Sequence, residues 1–318
     1  MSVSIDPHDS DNPILVTDSI RFAQKNGSVQ YVTLMAYGQD VIILRNERIT
    51  ESRVLTSDRP YLIYDTLLVD KNAVLRIEAG TRMYFHDKAL VKVTGKIQAS
   101  GTYDDRIVMR GDRLDNLLQD VPYDLLAGRW GGILLDSCSF GNQFVGCDIH
   151  GGTWGIVADT ANLILEKLLI NSSIIHNVST DGLQLNYCRG RIYNSQITNA
   201  GGHCVNLLGG DNVFQFCTIA DFYPWSKKLS AVEIRNKADS TILPIANAEF
   251  SYCIITGSSS DELSGLVVDS ISGRRPEEIS NYSFSHSLIL TPDTLNRHMH
   301  DNVWDKESNP VHGAGNFR

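Results

Sequence analysis

Phe214-Gln215-Phe216-Cys217-Thr218-Ile219, Phe250-Ser251-Tyr252-Cys253-Ile254-Ile255 and Phe284-Ser285-His286-Ser287-Leu288-Ile289 are one hexapeptide written three times. Its form is an apolar residue, two variable residues, Ser or Cys, one variable residue, then Ile. Toward the N-terminus the same form fits 144–149, 169–174 and 192–197. A second motif alternates with it: a small residue, then apolar–any–apolar. Its copies are 132–135, 155–158, 182–185, 204–207, 231–234 and 265–268. Two interleaved strand patterns recurring at a coarse period mark a solenoid.

The Ile anchors at 149, 174, 197, 219, 255 and 289 are 25, 23, 22, 36 and 34 residues apart. Two or three strands of about five residues, with their turns, fill a coil in the low twenties. The Leu/Asn consensus of a leucine-rich horseshoe is missing, and a propeller blade needs four antiparallel strands in about 40 residues. The fold class is therefore all-β, a parallel β-helix. Strand alternation points the ends of each triplet inward and its middle residue outward. The Ser/Cys slot and the following Ile share a parity and are expected to face the core. Asp136, Asp159, Asn186 and Asp269 follow a triplet, where Asx residues favour tight turns, and Gly182 is expected to supply a positive φ.

Around this frame, residues 1–60 read as a β-rich N-terminal cap. Within it 18–22 and 29–34 alternate about a Lys25-Asn26-Gly27 turn. The β-helix is assigned to 61–290 and an irregular tail or cap to 291–318. Residues 111–129 interrupt the coils, and Leu114, Leu117, Leu118, Leu125 and Leu126 predict a helical turn or two packed outside. The long steps are loops at 221–230, 237–247, 257–264 and 270–281, and insertions on a solenoid often carry binding.

The net charge of −9 over 318 residues argues against a nucleic-acid partner. No apolar run reaches the length of about 18 residues that spans a membrane. Met1-Ser2-Val3-Ser4-Ile5-Asp6 lacks the basic and apolar regions of a secretory signal, so no signal peptide is expected in this chain. Cys147, Cys217 and Cys253 share a slot with Ser, which predicts buried free thiols, and no CxxC pair points to zinc. His150 and His176 read as turn residues, no HxxxH or HExxH is present, and no metal site is expected.

Trp130-Gly131-Gly132-Ile133, Asp181-Gly182-Leu183-Gln184-Leu185 and the small-x-Ile spacing resemble the right-handed parallel β-helix (PbH1-type) repeats of pectin-lyase-like proteins. With Arg76-Ile77-Glu78-Ala79-Gly80-Thr81 they resemble, more narrowly, bacterial envelope β-helix proteins that are often lipid-anchored. The resemblance covers about residues 60–290. It implies a cell-envelope, surface or extracellular location, and an anchor or additional N-terminal domain outside this chain.

Ser179-Thr180-Asp181-Gly182 is similar to the Asn-Thr-Asp-Gly motif of polygalacturonase-type hydrolases. The next coil, however, reads Gly201-Gly202-His203-Cys204 instead of supplying carboxylates, and no Gly-His-Gly precedes Arg235-Asn236-Lys237. Asp181, His203, Glu233 and Arg235 are the candidates for catalysis, without a recognisable catalytic set. The outward residues Gln184, Asn206 and Glu233, with Tyr223 and Trp225 on the adjacent loop, are the candidates for binding a glycan. Carbohydrate binding without a cofactor is the expected function. The alternatives are a polysaccharide lyase or glycoside hydrolase acting on a uronate-containing glycan, where Ca2+ enters only for a lyase, and an adhesive surface scaffold.

Overall fold

The computed structural model describes residues 13–118, 121–225, 228–269 and 275–305. Three long parallel sheets wind around one core as a right-handed parallel β-helix. Sheet A has eleven strands, from Ile42–Arg45 to Val303–Trp304. Sheet B has nine, from Arg48–Ile49 to Leu263–Ser264, and sheet C ten, from Arg53–Leu55 to Met299–His300. The coils visit A, B and C in that order, except that the coil starting at Leu288–Ile289 passes to sheet C without a sheet B strand. Ahead of the coils, Ile14–Ala23 and Val29–Gly38 form an antiparallel hairpin in continuous register. Among the described residues no helix is long and apolar enough to cross a membrane.

The hexapeptide is the corner from sheet C to sheet A. The residue before each Ser or Cys has a left-handed backbone: Gly146, Ser172, Asn194, Phe216, Tyr252 and His286, with φ between 49° and 60°. The slot residue then donates to the carbonyl two positions back. Ser173, Ser195 and Ser287 do so at 3.0, 2.7 and 2.8 Å. Cys147, Cys217 and Cys253 do so at 3.5, 3.4 and 3.3 Å. A short side chain with one donor is what the corner needs, so Ser and Cys interchange. All six cysteines are free; five are buried and Cys138 is exposed.

Several expectations change. Ile149 pairs with Ile175, not Ile174, so the second copy of the hexapeptide is 170–175. A one-residue slip moves every side chain to the other face, and Ile170 and Ile175 are buried while Leu169 and Ile174 are not. The sixth sheet B strand of the repeat is Leu263–Ser264, paired with Val232 and Glu233, not the segment at 265–268. That segment leaves the sheet and is clasped by Asn236, which accepts the Val268 N–H and donates to its carbonyl. The 111–129 insertion forms the antiparallel pair Asn116–Leu118 and Val121–Pro122 and a single 3-10 turn, Tyr123–Leu125.

Gly182 does not have a positive φ. A Cβ there would lie 2.8 Å from both the Cys204 carbonyl and Ile197 Cγ2, so glycine permits close approach of successive coils.

In the core, equivalent side chains stack. Phe214, Phe250 and Phe284 lie face to face with centroids 4.6 and 4.8 Å apart. Trp130 closes the insertion, stacked on Phe85 with its indole N–H on the His150 carbonyl at 2.8 Å.

Candidate functional site

Sheet B places Gln184, Asn206 and Glu233 in one in-register row, continued by Ser264. Two positions along, Asn186 aligns with Leu208 and Arg235. The row is polar because these are the outward residues of triplets whose ends (Leu183, Leu185, Val205, Leu207, Val232 and Ile234) fill the core.

The four catalytic candidates meet around Asn206. Asn206 Nδ2 donates to Asp181 Oδ2 at 2.8 Å, and Asn206 Oδ1 accepts from Arg235 Nη2 at 3.1 Å. Arg235 Nε lies 3.0 Å from Glu233 Oε2, which is 3.6 Å from His203 Nε2. The ring closes through the His203 N–H, which donates to Asp181 Oδ1 at 2.8 Å. His203 Nδ1 donates to the Ser230 carbonyl at 2.7 Å, so Nε2 is the nitrogen turned toward Glu233. Gln184 stands beside the ring, bonded to Asn186 at 3.1 Å.

Both oxygens of Asp181 are thus committed to the next coil. This carboxylate braces the turn, and a general acid or base needs a freer one. Of the basic residues around the face, Arg189 and Arg191 are paired with Asp211, and Lys227 and Arg274 lie outside the described residues, as does the chain beyond residue 305.

Two buried acids that have no local sequence signal lie on the neighbouring coils. Glu262 accepts the Ala231 and Ser259 N–H groups at 2.7 Å each, yet burial pushes its carboxyl up to about 7. Asp221 accepts from the Tyr223 N–H at 3.1 Å, and burial pushes it up to about 6. Ser230 and Ser264 share a hydroxyl–hydroxyl bond across the same two coils. Residues 230–231, which hold His203, are therefore locked by the following coil.

Tyr223 and Trp225 project from the A-to-B corner that also carries Asp181 and His203. Their rings meet edge to face at 5.5 Å. The Tyr223 phenol is partly buried against the Ala127 backbone and Arg129, and that burial raises its pKa. Trp225 is 67% exposed, so it does not fill a core gap. Trp154 is only half-buried on the same corner. Along sheet B, a groove of about 620 Å³ lined by Arg48, Leu68, Lys92 and Asp136 covers the early coils, and a cavity of about 310 Å³ by Ser264 opens at the last ones.

A second cluster lies on the outer face of sheet A. His150 and His176 are in register within strands, not turns, with rings stacked at 4.6 Å. Asp148 Oδ1 is 2.7 Å from His150 Nδ1 and 3.2 Å from His176 Nε2. The insertion adds Asp124, whose Oδ1 is 2.8 Å from His150 Nε2 and whose Oδ2 is 2.9 Å from Arg110. Burial disfavours a charged His150, but its bonds to Asp124 and Asp148 outweigh this and raise it to about 9. Burial likewise opposes the Asp148 carboxylate, and the two histidines still hold it well below the usual range. Donor atoms of Asp148, His150 and His176 lie within 4.8 Å of one another, a spacing that can hold a metal ion.

No family model and no curated protein matches the chain. Among solved structures it is similar to the Dettilon tailspike protein, with TM-score 0.43 and 13% identity over 74% of this chain and 42% of that one. The chain therefore spans less than half of that protein. It is also similar to the A-module of the Azotobacter vinelandii mannuronan C-5 epimerase AlgE4, with TM-score 0.38, 11% identity, and coverage of 83% and 86%. A mannuronic acid specific family 6 polysaccharide lyase from human gut microbiota has TM-score 0.26, 11% identity, and coverage of 78% and 79%.

Proposed function

We propose that the protein binds carbohydrate on the outer face of sheet B, at the cell envelope or outside the cell. The observation that carries this reading is the row Gln184, Asn206 and Glu233, joined to Arg235 and His203 and flanked on the same corner by the exposed Trp225. Amides and a carboxylate in a row offer donors and acceptors at the spacing between strands, about 4.8 Å, which a chain of sugar rings can follow. An exposed indole offers an apolar face to a sugar ring while its N–H stays wet. Both oxygens of Asp181 and both amide atoms of Asn206 are already bonded within the ring, whereas Arg235 Nε makes an ion pair with Glu233 and no hydrogen bond, so a sugar hydroxyl can take a place beside Arg235 without stranding a charge. That favours retention of a glycan over turnover, for which a free acid and base are needed.

A glycan array read with wild type, Trp225→Ala and Glu233→Ala tests the reading. Binding by wild type and weaker binding by both variants is the expected result; equal signals from all three proteins overturn it. Incubation with pectins, alginates and glycosaminoglycans, followed for unsaturated products and new reducing ends, decides between binding and cleavage. The proposal expects neither product.

A further inference from the structure

We propose that Asp148, His150 and His176 form a three-ligand site for a borderline divalent cation of the zinc class, with Asp124 positioning His150 from behind. The argument begins with placement. Asp148 and His150 are two apart on one strand and so project from the same face of sheet A. His176 is the next rung of the ladder, in register with His150. A rigid sheet therefore presents three side chains toward one point, with no loop between them.

The donor set selects the ion. Two imidazoles and one carboxylate suit zinc and its neighbours, whereas Ca2+ requires six to eight oxygens and Mg2+ retains its waters. Zinc ligands lie about 2.0–2.2 Å from the metal, which places them roughly 3–4 Å from one another. The Asp148 oxygen is already 2.7 and 3.2 Å from the two histidine nitrogens. Small rotations of His150 and His176 open the remaining space. His150 coordinates through Nδ1, whose proton passes to solvent as the metal takes the lone pair. The fourth position belongs to water, because Asp148 and His176 keep 26% and 24% of their side-chain surface.

The independent observation is the outer shell. A metal-bound histidine characteristically donates its other N–H to a carboxylate, which fixes the tautomer and raises ligand basicity. Asp124 stands 2.8 Å from His150 Nε2, on the side away from Asp148, and is itself held by Arg110 at 2.9 Å. The insertion thus supplies the carboxylate of a carboxylate–histidine–metal triad, and Trp130 fixes the strand by bonding the His150 carbonyl. This inference does not depend on carbohydrate binding, since the cluster lies on a different sheet.

Equilibrium dialysis of the chelator-stripped full chain against Zn2+, with bound metal measured per chain, tests it. One tightly held zinc is expected for wild type, unaffected by excess Ca2+. His176→Ala, at the partly exposed ligand, should lose that zinc, and Asp124→Asn should weaken it about 10- to 100-fold. His298→Ala, on the last coils, should bind as wild type does. Circular dichroism of each variant confirms that it is folded, and the visible spectrum of a Co2+-loaded sample reports imidazole coordination directly. The proposal is overturned if wild type retains no zinc, or if folded His176→Ala retains it as tightly as wild type.

Discussion

On sheet B, Glu233 and Arg235 keep 21% and 35% of their side-chain surface at the rim of a ring whose Asn206 is buried; on sheet A, the rim carboxylates Asp124 and Asp148 keep 34% and 26% around a His150 left with 7%. Both clusters use in-register rungs of the same solenoid. What separates them is the connection that follows each strand. The A-to-B turns at 179–182 and 201–204 are tight, whereas 121–131 folds back over sheet A and brings Asp124 onto His150. The Glu233–Arg235 pair lies at the surface of its ring, where an ion pair contributes little to folding and partners can be exchanged for a ligand. On sheet A the shared charge is the buried one, His150, which cannot be lost without cost to the carboxylates it pairs with.

The largest expected effect is therefore His150→Ala. It removes the cation shared by Asp124 and Asp148, which keep only Arg110 and His176 respectively as partners. Breaking a buried ion pair costs about 3–5 kcal/mol, and the low end applies because both carboxylates retain some solvent. Urea unfolding of the metal-free protein should show a loss of about 3 kcal/mol. A loss below about 1 kcal/mol is the value for an exposed pair and would remove the distinction between the two faces.

A second effect sharpens the comparison through two buried acids on the coils next to the ring, Asp221 at the end of a sheet A strand and Glu262 just before the last sheet B strand. Asp221 and Glu262 have folded-state pKa values raised by burial, to about 6 and about 7, against an unfolded carboxylate near 4. The folded state then binds more protons than the unfolded state between these values, so stability falls as pH rises from about 4 to about 7. Asp221→Asn keeps an oxygen for the Tyr223 N–H and no longer ionises. It should raise stability at pH 8 by on the order of 2 kcal/mol, do little at pH 4, and flatten the slope between them. Thermal unfolding across that range checks it; a slope unchanged by Asp221→Asn means the buried acid is not the cause.

The contrast also explains what could be read from the chain. The triplets gave sheet B directly, because outward residues sit between two core residues of fixed type, and Gln184, Asn206 and Glu233 fell into register from spacing alone. Sheet A was harder. In Ser172-Ser173-Ile174-Ile175 both the slot and the anchor are doubled, and only pairing decides that Ser173 and Ile175 are the repeat residues. Taking Ile174 as the anchor sets His150 opposite Ile175 and separates the two histidines, whereas the true register aligns them. Asp124, Asp221 and Glu262 had no comparable signal. Each acts on a residue of another coil or on a neighbouring loop, and loop conformation is not set by a repeat.

The smaller effects belong to the open face, where function and stability should come apart. Glu233→Ala removes a partner of Arg235 but leaves the Arg235 bond to Asn206 and the Asp181 brace in place. It should cost less than about 1 kcal/mol in unfolding experiments while reducing glycan binding strongly. Trp225→Ala should be the most silent in folding, within about 0.5 kcal/mol, because the indole is exposed and touches Tyr223 only edge to face. Its expected consequence is for ligand alone: loss of one aromatic face worth about 0.5–1.5 kcal/mol, or up to about tenfold in affinity. Paired unfolding and binding titrations on this variant separate the cases. A destabilised Trp225→Ala would place the indole among the packing groups of the corner. A stable variant with unchanged affinity would put the glycan elsewhere on sheet B, toward the groove lined by Arg48 and Lys92.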